Sequence, residues 1–245
     1  MKLTYLGQCG FLIETAGVRI VTDPFLSDEL PGWKREYPAP CTLQELMPDM
    51  IIISHSHADH MDLPTLGAYR ARGGDCLVAA PAPECGALYQ MGFSHVIEAR
   101  AEQAFSLESV RITPIMCAHT EPHTDDAGRF RELSYMIESP EGTLFFGGDL
   151  SLYDGLVQRI RRDGPSHLIL PCNGRDAERA AQYIIGNVTC AEAAQIANSC
   201  HAVLIPSHHD LFLNNGCALE DIQAAADAEN ASLMPLTLNI PVTLF

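Results

Sequence analysis

The chain has 245 residues, with 15 basic and 31 acidic side chains and a formal net charge of −16. No Lys/Arg run extends beyond Arg161-Arg162, which argues against a nucleic-acid partner, since such a partner calls for a basic stripe. No apolar stretch reaches the ~18 residues of a membrane span, and nine Cys without a C-x-x-C pair read as scattered thiols of a reducing, cytoplasmic compartment.

The first quarter reads as β-rich. Leu3–Leu6, Phe11–Thr15 and Val18–Thr22 are short runs punctuated by Gly7, Gly10 and Gly17, the pattern of a hairpin meander. The N-terminus is therefore expected to be a strand and not a signal peptide. Asp23-Pro24 ends the meander. Residues 24–41, rich in Pro and Gly and holding Trp33 and Tyr37, form a long loop that suits a lid or a subunit contact. A short helix is predicted over Thr42–Met47, then a buried strand over Met50–Ile53. A helix over Leu63–Arg72 carries Pro64 in its first turn. Leu77–Ala80 (strand), Pro83–Met91 (helix), and the strands His95–Ile97, Ala104–Leu107 and Val110–Met116 follow.

After a polar loop over residues 120–131, Tyr135–Glu138 and Thr143–Phe146 form a hairpin about Pro140-Glu141-Gly142. The remainder alternates helix and strand: Tyr153–Arg162, Leu168–Leu170, Thr189–Cys200, Val203–Ile205 and Leu219–Glu229. Thr189 and Glu192 are spaced as a capping box. Leu236–Ile240 reads as a last strand. No linker or repeat interrupts residues 1–245, and the twofold β-then-α alternation predicts one layered α/β domain with sheets inside and helices outside.

The chemistry concentrates in H-x-H-x-D-H, at His55, His57, Asp59 and His60, directly after the apolar strand. Imidazole and carboxylate suit zinc and similar divalent ions. In extended backbone, residues i and i+2 share a side, so His55 and His57 can hold one ion. Asp59 and His60 follow as the chain turns and can face a second ion, as two-metal hydrolases require. Three more apolar runs deliver a ligand-type residue at their C-terminal ends: Ile112–Cys117 before His119, Leu144–Phe146 before Asp149, and Val203–Pro206 before His208 and His209. That edge is where α/β proteins place their sites. A carboxylate such as Asp149 can bridge two ions. Of the two adjacent histidines, His208 is preferred as the ligand, leaving His209 behind it or facing substrate.

These segments, Ser54–His60, His119, Gly147-Gly148-Asp149 and Ser207-His208, resemble the metallo-β-lactamase superfamily. The resemblance implies a four-layer αββα sandwich with metals at one sheet edge. It assigns His55, His57 and His119 to a first ion, Asp59, His60 and His208 to a second, and Asp149 to the bridge. Arg131-Glu132-Leu133-Ser134-Tyr135, Ser139-Pro140-Glu141-Gly142 and Ile205-Pro206-Ser207-His208-His209-Asp210 are similar to the L-ascorbate-6-phosphate lactonase branch, a resemblance that implies manganese or zinc; of the two, zinc is the first expectation for this chain and manganese the second.

The resulting expectation is a hydrolase with two divalent ions, acting on a small lactone or cyclic ester, phosphorylated or not, through hydroxide held by the ions. Asp59 and His209 are the candidate catalytic groups, Asp59 for orienting the water or carrying its proton. Arg131, Arg129 and Asp23 are candidates for binding substrate, the arginines because a guanidinium suits a carboxylate or phosphate. The alternatives are a small-molecule phosphodiesterase and a non-catalytic metal- or ligand-binding relative. Besides the small-molecule substrate, a second copy of the chain is the one partner left open. No G-x-S-x-G or P-loop sequence is present.

Overall fold

The computed structural model describes residues 1–28 and 30–245. Two sheets stack face to face. The first contains β1 (Lys2–Gly7), β2 (Gly10–Thr15), β3 (Val18–Thr22), β4 (Met50–Ile52), β5 (Leu77–Pro81) and β6 (Val96–Ala99) in sequential order. The second contains β7 (Phe105–Leu107), β8 (Val110–Met116), β9 (Leu133–Ser139), β10 (Gly142–Phe146), β11 (His167–Pro171) and β12 (Val203–Ser207), also in sequential order. A two-residue strand, β13 (Val242–Thr243), pairs antiparallel with β1 at the open edge of the first sheet.

Strand alternation sorts the apolar residues into three cores. Tyr5, Phe11, Ile13, Ile20, Met50 and Ile52 point inward and meet Ile112, Tyr135, Ile137, Phe146, Ile169 and Ile205 of the second sheet. The intervening residues Leu6, Leu12, Val21, Ile51, Ile53 and Val78 point outward. They pack under α1 (Leu43–Leu46), α2 (Leu63–Ala71) and α3 (Cys85–Gln90). On the far side, Phe145, Leu168, Leu170 and Leu204 pack under α4 (Leu156–Asp163), α6 (Cys190–Cys200) and α7 (Leu219–Ala228), with α5 (Ala177–Ala181) between α4 and α6 in the chain. Both sheets are thus apolar on two faces, as strands covered on both sides require, and the layering is αββα. No described helix is long and apolar enough to cross a membrane.

Local sequence sets most element ends. Thr42 and Thr189 each close a capping box, with Glu45 and Glu192. Asp62 accepts from the Thr65 N–H ahead of Pro64 in α2. The strand expected over Leu236–Ile240 is corrected: Leu238 makes a single bridge to Tyr5, and regular pairing resumes at Val242. Asn239 sits in the left-handed region (φ 58°) and Pro241 lacks an N–H, so a ladder cannot run through them. The helix α5 has no buried residue, so it left no apolar period in the sequence.

Topology brings the relevant termini to one edge. β3, β4 and β5 are parallel, and β1 runs in the same direction because two antiparallel pairings separate it from β3. In the second sheet β10, β11 and β12 are parallel, and β8 joins their direction through antiparallel β9.

Candidate metal centre

The chain leaves β4 at Ile52 and passes through Ser54 into His55 and His57. The approach of β10 is equally constrained. Gly148 has φ 63°, and a Cβ there would meet the Ser54 Cβ at 2.6 Å. Only glycine tolerates that conformation and that contact together. The turn beyond it carries Asp149. After β8, the His119 carbonyl accepts from Ser151 Oγ (2.6 Å) and the Ala118 carbonyl from Ser151 N (2.6 Å), which ties the His119 segment to the Asp149 loop.

The structure brings all seven expected ligand residues together. Ligand atoms of His55, His57, His119 and Asp149 lie within 4.8 Å of one another, and so do those of Asp59, His60 and His208. Asp149 Oδ1 is 3.3 Å from His60 Nε2 and 3.5 Å from His208 Nε2, while Oδ2 is 3.2 Å from His119 Nε2. One carboxylate therefore faces both groups. Asp59 Oδ2 lies 3.3 Å from His208 Nε2. His57 is exposed at the mouth; His55, His60, His119, Asp149 and His208 are buried.

Beneath the candidate ligands, Asp23 orients His60 directly and His55 through Ser54. Its carboxylate accepts from Ser54 N (2.7 Å) and Ser54 Oγ (2.5 Å), and lies 2.7 Å from His60 Nδ1. With its proton given to Asp23, Ser54 Oγ accepts from His55 Nδ1 at 2.9 Å. Both rings are thereby held with Nδ1 outward and Nε2 turned into the site, the arrangement that fixes a ligand tautomer.

These residues fit a pair of cations on their own chemistry. His55 Nε2 is buried with no hydrogen-bond partner among the described residues, and His60 Nε2 and Asp149 Oδ1 are buried with a 3.3 Å approach to each other in place of a well-formed hydrogen bond, a costly state for polar groups unless something else satisfies them. Two carboxylates among five imidazoles also call for positive charge. Burial would raise the Asp149 carboxyl, but His208, His60 and His119 hold it well below the usual carboxylate range. Asp59 is likewise held down against burial, by His60 and His208. Burial opposes a charge on His60 and His208, yet Asp149 and Asp59 raise both imidazoles. His55 and His57 are lowered by burial and by neighbouring imidazoles, which keeps their nitrogens free to coordinate.

The remaining expected site residues lie elsewhere. Asp23 is fully buried, so its assignment as a substrate-binding residue is corrected: it positions His60 and Ser54. Arg129 is engaged by Asp125 in its own loop (Nε to Oδ2, 2.8 Å), and Arg131 reaches Glu84 at 2.7 Å on the surface. Neither lines the cavity before the ligands, because each guanidinium already has a carboxylate on the way. His209 stacks on Tyr5 (centroids 6.2 Å apart) and lines a neighbouring cavity, so its assignment as a catalytic group is corrected: it does not line the cavity over the ligand cluster.

Two residues of the β1–β2 turn were missed. Gln8 is buried, with Nε2 2.7 Å from Asp59 Oδ2 and 2.8 Å from His208 Nε2. Cys9 is close enough to His60 and Asp149 to share an ion with them. Burial and then Asp149 push its thiol well up. The sequence signal was a polar pair inside a Gly-flanked turn, which a hairpin alone accounts for.

The cavity over the ligands has a volume of about 240 Å³. Its floor is His57, Asp59, His119, Asp149 and His208; its walls are Leu30, Trp33, Tyr183, Ile184, Ile185 and Phe212. The 24–41 loop supplies a wall because Trp33 packs edge-on against Phe212 (5.2 Å) and Tyr37 donates to Asp210 (2.8 Å).

Residues 18–209 match the Beta-lactamase superfamily domain. The chain belongs to this superfamily. Among its superfamily relatives, a metal-dependent hydrolase of Methanopyrus kandleri is 27% identical over 218 residues, covering 86% of this chain and 85% of that protein. A novel metallo hydrolase of the archaeon Ignicoccus hospitalis superposes with a TM-score of 0.75 at 20% identity, over 100% of this chain and 99% of the other. A metallo-beta-lactamase fold protein of Bacillus subtilis gives 0.71 at 16% identity, over 98% of both chains. The two structural likenesses concern the fold, and they match the αββα layering: this is the metallo-β-lactamase fold.

Proposed function

We propose that the protein is a metal-dependent hydrolase of small, uncharged carboxylic esters, lactones above all. The observation that carries the reading is the pairing of a ligand-rich floor with an apolar wall. Two divalent cations held by His55, His57, His119, Asp149, Asp59, His60 and His208 would lower the pKa of water and polarise a carbonyl oxygen.

The chain's own residues supply the rest. Asp59 is the floor carboxylate that is partly open to the cavity. It takes the proton released as water adds to the ester carbon and returns it to the departing alkoxide oxygen, so a lactone opens to its hydroxy acid. Asp149 keeps the two ligand groups at a fixed separation. Trp33, Phe212 and Ile185 cover the apolar part of the substrate and exclude bulk water, which strengthens the electrostatics at the floor. About 240 Å³ is below the usual range for drug-sized ligands, so the substrate is small.

Phosphorylated lactones and phosphodiesters fit less well. A phosphate calls for an Arg or Lys, and among the described residues none lines the cavity. The non-catalytic alternative gains nothing from a floor whose ligand atoms converge and lie open to a cavity.

The test is a rate comparison on metal-loaded protein. The expected outcome is turnover of small neutral lactones and aryl esters, with kcat/KM on the order of 100-fold or more above that for bis-p-nitrophenyl phosphate, the size of effect when about 3 kcal/mol of charge complementarity is missing. Faster cleavage of the phosphodiester would reject the ester assignment.

A further inference from the structure

Gln8 is absent from the ligand set that the superfamily resemblance implies, yet its side chain ends inside the site. It sits in the turn between β1 and β2 with φ 56°, a left-handed conformation that disfavours most side chains. His208, at the end of β12, is also left-handed, with φ 54°. The two face each other, and His208 N donates to the Gln8 carbonyl at 2.9 Å. Two unfavourable conformations on different sheets, joined by a main-chain hydrogen bond, are the kind of arrangement held for a site. The bond keeps the Gln8 amide in register with the His208 ring.

The amide tip lies 2.7 Å from Asp59 Oδ2 and 2.8 Å from His208 Nε2. Those two atoms lie 3.3 Å apart and belong to the group of ligand atoms that converge from Asp59, His60 and His208, so a cation held there would sit against the amide tip. With that cation bound, His208 Nε2 has no lone pair left for an N–H. The NH₂ group would then face positive charge. A half-turn of the terminal amide exchanges Nε2 for Oε1 in the same space, and a carbonyl oxygen is a normal ligand for divalent ions.

Building on the two-cation reading of the site, we propose that Gln8 Oε1 is a protein ligand of the cation held by Asp59, His60 and His208. That ion then sees oxygens from Asp59, Asp149 and Gln8, whereas the ion at His55, His57 and His119 sees mainly nitrogen. The two positions differ in ligand hardness, so Mn²⁺ is favoured at the Gln8 position relative to the three-histidine position.

The experiment titrates chelator-stripped, full-length protein with Mn²⁺ and with Zn²⁺, reading stoichiometry by calorimetry and elemental analysis. Gln8→Asn keeps an amide and a residue that tolerates the left-handed region but is one methylene too short. Gln8→Glu keeps the reach and replaces the amide with a carboxylate. The expected result is two ions per wild-type chain, a second-ion Kd raised about 10- to 100-fold in Gln8→Asn, the effect typical of even outer-shell partners, and retained or tighter second-ion binding in Gln8→Glu. If Gln8 is instead only an N–H donor to Asp59, Gln8→Glu sets two carboxylates against each other and loses the second ion, which overturns the proposal. Unchanged binding in Gln8→Asn also overturns it and leaves the hydrolase reading intact. A wild-type chain that takes up no ion overturns both.

Discussion

Asp149 and Trp33 face the same cavity from different kinds of backbone. Asp149 follows β10 by three residues, in a turn that Gly148 and Ser54 hold in contact, and its carboxylate meets three imidazoles, those of His60, His119 and His208, in a buried floor. Trp33 stands on irregular chain, fixed by packing on Phe212 and by the Trp33 N to Leu30 carbonyl bond. The floor is set by sheet geometry, where a shift of one residue would turn every ligand away. The walls are set by loops, which tolerate sequence change at little cost to the fold. Reaction chemistry and substrate choice are therefore carried by separable parts of the molecule.

Substitutions break that comparison in graded ways. The largest effect is expected for Asp149→Ala, which removes the carboxylate shared by both ligand groups. Metal content should fall and kcat/KM drop on the order of 1,000-fold, as for loss of about 4 kcal/mol of transition-state stabilisation, while circular dichroism stays native. Next comes Asp23→Asn, one layer below the ligands. Its amide N–H₂ would oppose the Ser54 hydroxyl and the His60 N–H, so metal Kd should rise about 10- to 100-fold. Trp33→Ala should leave metal content alone and raise KM about 10-fold with little change in kcat, the mark of lost uniform binding in steady-state kinetics. The smallest effect is expected for Arg131→Ala. Arg131 is the exposed member of its pair with Glu84, such a solvent-screened pair is worth about 1 kcal/mol, and the guanidinium does not line the cavity, so kcat/KM for a neutral ester should stay within about twofold. A large loss with Arg131→Ala would move the substrate towards the arginine loop and dissolve the floor-and-wall division.

The floor was more legible in the sequence than the walls, for a physical reason. Few side chains ligate divalent ions, and four of them within six residues after an apolar strand leave few other readings. Strand alternation likewise exposed both sheets. Gln8 was not legible because its meaning depends on His208, 200 residues away. Arg131 was misread because its carboxylate partner lies 47 residues earlier, where no local pattern points to it. Asp23 was read as a turn or substrate residue, and only the fold shows that Ser54 and His60 close over it. The Leu236–Ile240 segment has strand composition, but Asn239 and Pro241 decide its backbone.

Anomalous diffraction from crystals of the metal-loaded protein tests the central claim most directly. Two peaks per chain are expected about 3.5–4 Å apart, as in other two-metal sites, one against His55, His57 and His119, the other against Asp59, His60 and His208, with Asp149 between them. A single peak, or a pair away from Asp149, would contradict the account.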